Sequence, residues 1–182
     1  MTSGTAISTL VATRRSTEGA SSLGIVTQVL AGRYVAVVGP ADGARASDLA
    51  TAEAVGTALA AARAVLLTGG HHGVMQAAAR GASRAGGVSI GLMPGDDRST
   101  GTPEHTYLLP TGLGELRNGL VVRAADAVVA VGCSWGTLSE IALARRTGVP
   151  LVLVDPWDLP EDVGPVVADA ETALAAILDL LT

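Results

Sequence analysis

An α/β protein, built as one Rossmann-like domain around a doubly wound parallel sheet, is what the 182-residue sequence predicts. Three observations predict it. From Tyr34 onward, short apolar runs alternate with stretches of helical periodicity, the pattern of a parallel sheet covered on both faces. The runs are apolar throughout rather than alternating, as strands buried on both faces must be. Two of the strand-to-helix turns are glycine-rich, Gly69-Gly70-His71-His72-Gly73 and Gly132-Cys133-Ser134-Trp135-Gly136-Thr137. Turns of that kind bind anions in α/β proteins, because the first N–H groups of a helix have no intrahelical partner and its dipole is positive there.

The elements follow in order. Residues 1–33 read as a flexible N-terminal extension rich in Ser, Thr, Ala and Gly, with a short helix over Ser22 to Leu30 as its one structured candidate. It lacks the continuous apolar centre of a secretory signal. The Rossmann-like nucleotide- or phosphate-binding domain covers residues 34–182. Its first strand is Tyr34 to Val38, stopped by Gly39-Pro40. Ser47 can cap the next helix, whose buried stripe is Leu49, Ala52, Gly56, Leu59 and Ala60, with Gly56 marking close approach to the sheet. Ala64 to Thr68 is the second strand. The helix after it packs through Val74, Ala77, Ala78 and Gly81. Val88 to Leu92 is the third strand, and Asp96 to Gly112 is a long polar loop.

Leu113 to Arg123 reads as a helix with Leu113, Leu116, Leu120 and Val121 inward. Asp126 to Val131 is the most uniformly apolar strand. The turn from Gly132 to Gly136 leads into an amphipathic helix marked by Leu138, Ile141, Ala142 and Arg145. Gly148 ends that helix and Pro150 opens the strand to Val154. A last helix starts at Asp169, with Leu174, Ile177, Leu178 and Leu181 at i, i+3, i+4 and i+7. About five strands belong to the core.

Composition narrows the function. Apolar residues make up 48% and aromatics 2%, with no Phe, so the core is aliphatic and packs through small side chains. A net charge of −5 argues against nonspecific nucleic-acid binding. Every basic side chain is Arg, which excludes a Schiff-base or P-loop lysine. A single cysteine, Cys133, excludes a disulfide framework and a cysteine zinc site, and suits a reducing cytoplasm. No apolar run approaches the roughly 20 residues of a membrane span.

If the strands before the two glycine turns are neighbours, both helix N-termini open on one cleft. A phosphate there takes backbone N–H bonds and the hydroxyls of Ser134 and Thr137. The first strand carries no G-x-G-x-x-G, and there is no Walker sequence, so NAD or ATP bound in those modes is not expected. Glu140 has two readings. With Thr137 it forms T-x-x-E, a capping box. Alternatively its carboxylate reaches the cleft and serves an oxocarbenium ion or ribose hydroxyls. Arg117 is a surface arginine or, beside a phosphate, a bidentate ligand. Asn118 next to it could read a base or pterin edge. At least one of His71 and His72 faces the cleft, and no metal site is expected from them. Asp96 and Asp97 bind a ligand group or are solvated loop acids.

Several of these residues form a known pattern. Leu67 to Met75, Ala78 to Ala82, Gly86-Gly87, Ile90-Gly91, Pro94 to Asp97, Arg117-Asn118, Asp126 to Val128 and Gly136 to Ala144 resemble the molybdenum-cofactor carrier proteins, in the same order along the chain. The resemblance covers roughly Tyr34 to Asp155 and reaches the superfamily of the Lonely Guy phosphoribohydrolases, once labelled lysine decarboxylases. The latter share P-G-G-x-G-T-x-x-E, matched here by Gly136, Thr137 and Glu140, with Arg117 at the upstream arginine. Gly132 stands at the Pro position and Asn118 at a Lys position, and both favour the carrier branch. Cys133-Ser134 replaces a glycine pair, which adds two Cβ atoms where positive φ would be penalised.

The resemblance implies a binding protein for a phosphate-bearing small molecule, the molybdenum cofactor or a nucleotide, with no cofactor required and no metal ligand. Its ligand set is Gly39, Gly69, Gly70, His71, Gly73, Met75, Asp96, Arg117, Asn118, Ser134, Gly136, Thr137 and Glu140. The alternative it implies is a nucleoside 5′-monophosphate phosphoribohydrolase using Arg117 and Glu140, not a pyridoxal-phosphate decarboxylase. A cytoplasmic homo-oligomer, dimer or tetramer, that engages neither nucleic acid nor membrane completes the expectation.

Overall fold

In the computed structural model, which describes residues 29–182, the apolar runs pair into one seven-stranded, wholly parallel sheet. The strands are β1 (Tyr34–Val38), β2 (Val65–Thr68), β3 (Val88–Met93), β4 (Tyr107–Pro110), β5 (Ala127–Val131), β6 (Leu151–Val154) and β7 (Val166–Val167). Their spatial order is β4-β3-β2-β1-β5-β6-β7. The chain winds outward from β1 to β4, then returns to start again at β5 on the other side of β1. The β1/β5 boundary is therefore the switch point at which a doubly wound sheet opens a crevice.

The helices are α1 (Ala46–Ala61), α2 (Val74–Arg84), α3 (Arg117–Ala124), α4 (Trp135–Thr147) and α5 (Ala170–Leu181). On one sheet face, Val35, Val37, Leu66, Val129 and Val152 pack with Val55 and Leu59 of α1, Val74 and Ala78 of α2, and Ile177 of α5. Leu30, ahead of β1, is buried in the same cluster. On the other face, Ala36, Val38, Leu67, Val128, Ala130 and Leu153 pack with Val121 and Val122 of α3 and Ile141 and Ala144 of α4. Among the described residues, no helix is long and apolar enough to cross a membrane.

The sheet exceeds the five expected strands by two. β4 lies inside the stretch expected to be loop, and β7 is a two-residue strand beside β6. The expected helix over Ser22 to Leu30 falls mostly outside the described residues; Val29 and Leu30 are helical.

Three local readings change. Arg45, not Ser47, precedes α1: its backbone N–H donates to Asp48 Oδ2 at 2.9 Å, and its guanidinium grips the same carboxylate. Asp48 is buried at N3, so the helix start is set from inside while Ser47 faces solvent. Gly56 approaches a helix rather than the sheet. A Cβ there would overlap the carbonyl oxygen of Ala78 in α2, and one on Gly81 would overlap the carbonyl of Glu53 in α1. The two helices cross backbone to backbone, with Glu53 held by Arg80 and Arg84.

The third change is to α3, which is rotated against expectation. A 3-10 turn over Gly114–Leu116 leads into it, and Arg117, Asn118, Val121 and Val122 are its buried residues. Leu113, Leu116 and Leu120 are exposed, Leu116 by 80%. The leucine row at helical spacing is real, but the sheet side of the helix belongs to two valines and the polar pair that closes the cleft.

Candidate functional site

The cleft is assembled from three strand-to-helix turns. That after β5 begins at Gly132, and Ser134 caps α4: its Oγ accepts the Thr137 N–H at 3.2 Å and lies 2.9 Å from Thr137 Oγ1. Trp135 and Gly136 thus fall inside the helix, and their N–H groups keep no intrahelical partner. This cap replaces the T-x-x-E box expected between Thr137 and Glu140. Neither Cys133 nor Ser134 has a positive φ, and Ser134 is fully extended at φ −142°, so the two added Cβ atoms bring no backbone strain. Burial pushes the Cys133 thiol up, against a weaker pull down from backbone hydrogen bonds at Trp157 and Ser134.

The turn after β2 carries His71 and His72. Gly73 takes φ +69° where a Cβ would overlap the carbonyls of Pro40 and Ala41, and the Val74 N–H donates to the Pro40 carbonyl at 3.0 Å. The turns after β1 and β2 are therefore locked together. β2 and β5 are not neighbours; β1 lies between them, and its turn lines the cleft through Gly39, Ala41 and Asp42.

α3 supplies the fourth wall. Arg117 is 7% exposed and Glu140, one turn into α4, is 5% exposed. Arg117 Nη1 lies 3.6 Å from Glu140 Oε1, an ion-pair distance too long for a hydrogen bond. The guanidinium occupies the space that a Cβ on Gly69 would fill. Its Nε is buried with no hydrogen-bond partner among the described residues. Asn118 Nδ2 donates to Ser139 Oγ at 2.9 Å, tying α3 to α4.

Burial pushes the Glu140 carboxyl up to about 8, opposed by Arg117 and helped by Glu115. Burial lowers Arg117 as well, against the pull of Glu140 and Glu115, yet a guanidinium starts so high that it stays charged. The pair is therefore a charged guanidinium beside an acid whose burial favours the protonated form, which can donate. Burial, then Arg117, lowers His71, which favours the neutral imidazole. His72 Nε2 lies 3.0 Å from Asp42 Oδ1 at the rim.

A stability experiment checks Glu140. Its folded value is above its ordinary 4.5, so folded protein holds a proton that unfolded chain has released between pH 4.5 and about 8. The stabilisation is complete below 4.5 and is lost as pH rises through about 8. Glu140→Gln removes the titrating group. Its melting temperature should gain on the wild type steadily as pH rises through that window. A constant offset between the two would show that Glu140 ionises normally.

The cleft encloses about 270 Å³, at the lower edge of the range for small-ligand sites. Of the residues singled out from sequence, Gly39, His71, Met75, Arg117, Asn118, Ser134, Gly136, Thr137 and Glu140 line it together. Gly69, Gly70 and Gly73 do not line it: Gly69 makes room for Arg117, Gly70 lies against Met93, and Gly73 fits the β1 turn. Asp96 is exposed beyond the end of β3, away from the lining. Ala41, Asp42 and Glu115 line the cleft without having been singled out. The first two follow the central strand at the switch point, a position that points to a ligand crevice even without a glycine fingerprint. Glu115 had no comparable signal. Among the described residues no group of three His, Cys, Asp or Glu could hold a metal ion.

Beside the cleft, Trp135 packs edge-on against Trp157 with ring centroids 5.0 Å apart.

A doubly wound parallel sheet with a polar crevice at its switch point defines a Rossmann-like α/β protein. Within that class, residues 32–177 match the SLOG cluster4 family, and the chain belongs to it. Its fold is that of the molybdenum cofactor binding protein from the phototrophic bacterium Rippkaea orientalis, with 32% identity and a TM-score of 0.79 over 83% of this chain and 98% of that one. The molybdenum cofactor carrier protein of Chlamydomonas reinhardtii is 34% identical, with a TM-score of 0.76 over 82% of this chain and 98% of its own. An uncharacterised protein of Archaeoglobus fulgidus is 34% identical over 102 residues, 56% of this chain and 67% of that protein.

Proposed function

We propose that this protein binds a phosphate-bearing small molecule in the switch-point cleft, as a homo-oligomeric carrier whose cargo is the molybdenum cofactor or a nucleotide. One observation carries the reading: a charged guanidinium, nine-tenths buried and with no partner among the described residues for its buried Nε, lines the cleft. Keeping a cation out of water beside an acid whose own burial disfavours its charge is costly, and an anionic ligand offsets that cost. The phosphate takes the Trp135 and Gly136 N–H groups, the hydroxyls of Ser134 and Thr137, and the fork of Arg117. Asn118, His71 and protonated Glu140 remain to orient the polar part of the cargo. The likeness to two proteins described as binding or carrying that cofactor supports this choice of cargo.

The phosphoribohydrolase reading keeps one specific support, the convergence of Arg117 and Glu140 on one cleft. It requires an ionised Glu140, and the burial of that carboxyl works against the ionised form. A panel of nucleoside 5′-monophosphates tests both readings. Calorimetry should record binding without release of ribose 5-phosphate, and Glu140→Gln should bind comparably. Release that grows as pH is raised through about 8, and vanishes in Glu140→Gln, would replace the carrier reading with the hydrolase.

A further inference from the structure

The polar groups of the cleft are sorted into donors and acceptors. At the head of α4 they donate: the Trp135 and Gly136 N–H groups keep no intrahelical partner, and the Arg117 guanidinium lies beside them in the lining. At the head of α3 they accept. Ser139 Oγ donates its hydrogen to the Gly136 carbonyl at 2.7 Å, so toward Asn118 it can only accept. Asn118 therefore turns its amide Nδ2 to Ser139, and its Oδ1 has no partner among the described residues. Asn118 is nine-tenths buried and lines the cleft.

Glu115 is the second acceptor. It lines the cleft three residues before Asn118, close to one helical turn, so the two sit on the same side of the α3 lead-in. Asp42, another carboxylate of the lining, is engaged by His72. The Glu115 side chain makes no hydrogen bond or ion pair among the described residues. Its charge nevertheless reaches into the cleft. His71, Arg117 and Glu140 stand on three separate elements, and each feels Glu115 as an influence secondary to its own burial.

A carboxylate facing an anion site is unfavourable by itself, because it repels the phosphate that Arg117 attracts. The conflict disappears when the ligand sets hydrogen-bond donors against it. Ionised carboxylate oxygens only accept, and they accept two parallel N–H bonds well. A single ammonium group would satisfy Glu115 and leave Asn118 Oδ1 without a role. A row of acceptors is matched by a row of adjacent donors.

We infer that Glu115, with Asn118 beside it, reads the donor edge of the cargo's ring: a ring N–H next to an exocyclic amino group, the 2-amino-oxo edge shared by guanine and the pterins. The inference rests on the phosphate-binding reading of the cleft and adds the class of ring that the phosphate carries. Adenine is rejected by the same acceptors, since its amino group is flanked by a ring nitrogen that accepts. Hypoxanthine keeps the ring N–H and lacks the amino group, so it stands between the two.

Calorimetry on the full chain, in EDTA, with GMP, IMP, AMP, neopterin monophosphate and inorganic phosphate as probes, tests this. GMP should bind roughly tenfold or more tighter than AMP, with IMP between them. Glu115→Gln should weaken GMP by roughly tenfold and bind inorganic phosphate no worse than the wild type does, because a like charge has gone. A disturbed site would weaken both, so the divergence isolates the ring contact. If neopterin monophosphate is the tighter of the two 2-amino-oxo ligands and shows the same loss in Glu115→Gln, the ring is a pterin; the reverse order makes it guanine. AMP binding as tightly as GMP and neopterin monophosphate overturns the inference. So does a Glu115→Gln protein that binds all probes equally less, or that binds GMP as the wild type does, and so does binding that needs added Mg²⁺. In each of these the phosphate reading stands. If no probe binds, or Arg117→Ala binds them all unchanged, the phosphate reading falls and this inference falls with it.

Discussion

Arg117→Ala should weaken binding of a phosphate-bearing ligand by roughly 100- to 1,000-fold, the largest functional effect expected of any single change in the cleft. Two charge-assisted hydrogen bonds from a planar fork are worth about 3–4 kcal/mol together in a dry site. Arg117→Lys keeps the charge and loses the fork, so it should recover only part of the affinity. Gly69→Ala supplies an independent route to the same loss. Its new Cβ would take the space of the guanidinium without itself lining the cleft. If Gly69→Ala bound as the wild type does, the guanidinium would not be the anion's partner where it now rests. If Arg117→Ala bound as the wild type does, the assignment of the site would fail altogether.

Gly56→Val should be the most damaging substitution for stability, costing about 3 kcal/mol or more and sharply reducing the folded fraction. The added side chain would be driven into the Ala78 carbonyl, and there is no flexible side chain to yield, only the backbone of α2. α1 and α2 would have to part. That would uncover Ala52, Val55 and Leu59, and pull Glu53 from Arg80 and Arg84. Chemical denaturation of Gly56→Val beside Gly119→Ala makes the comparison. The second should be neutral or slightly stabilising, because its Cβ enters open space. Equal stability of the two glycine variants would mean that the α1–α2 crossing can relax.

These two expectations show what sequence carries and what it does not. The strands of the sheet centre were legible because Val35 to Val38, Leu66-Leu67 and Ala127 to Val131 are apolar without alternation. β4 was hidden because Tyr-Leu-Leu-Pro sits in a polar stretch and pairs on one side only, so its composition reports an edge rather than a core. Most of the cleft lining was legible in the two glycine-rich turns and in Arg117, Asn118 and Glu140.

The face of α3 was not. Periodicity shows that Leu113, Leu116 and Leu120 share a side, but not which surface that side meets. The same spacing serves a core and an interface. The helix start at Ser134 was ambiguous for a similar reason. Ser134 with Thr137 and Thr137 with Glu140 both have the spacing of a cap, and only the burial of Glu140 beside Arg117 decides between them. Close approach at Gly56 was anticipated, but its partner could be named only once α2 was in place.

The edge-packed tryptophans have a practical consequence. Trp135 and Trp157 are the only two in the chain, and they touch. All of the protein's indole emission therefore originates at one spot, at the head of α4 between Ser134 and Gly136, two residues of the cleft lining. An oxidised pterin arriving there, which absorbs where indole emits, would accept excitation from that spot and dim it. The molecule thus carries its own optical gauge of occupancy, and a titration can be followed without a label and without altering any residue of the site.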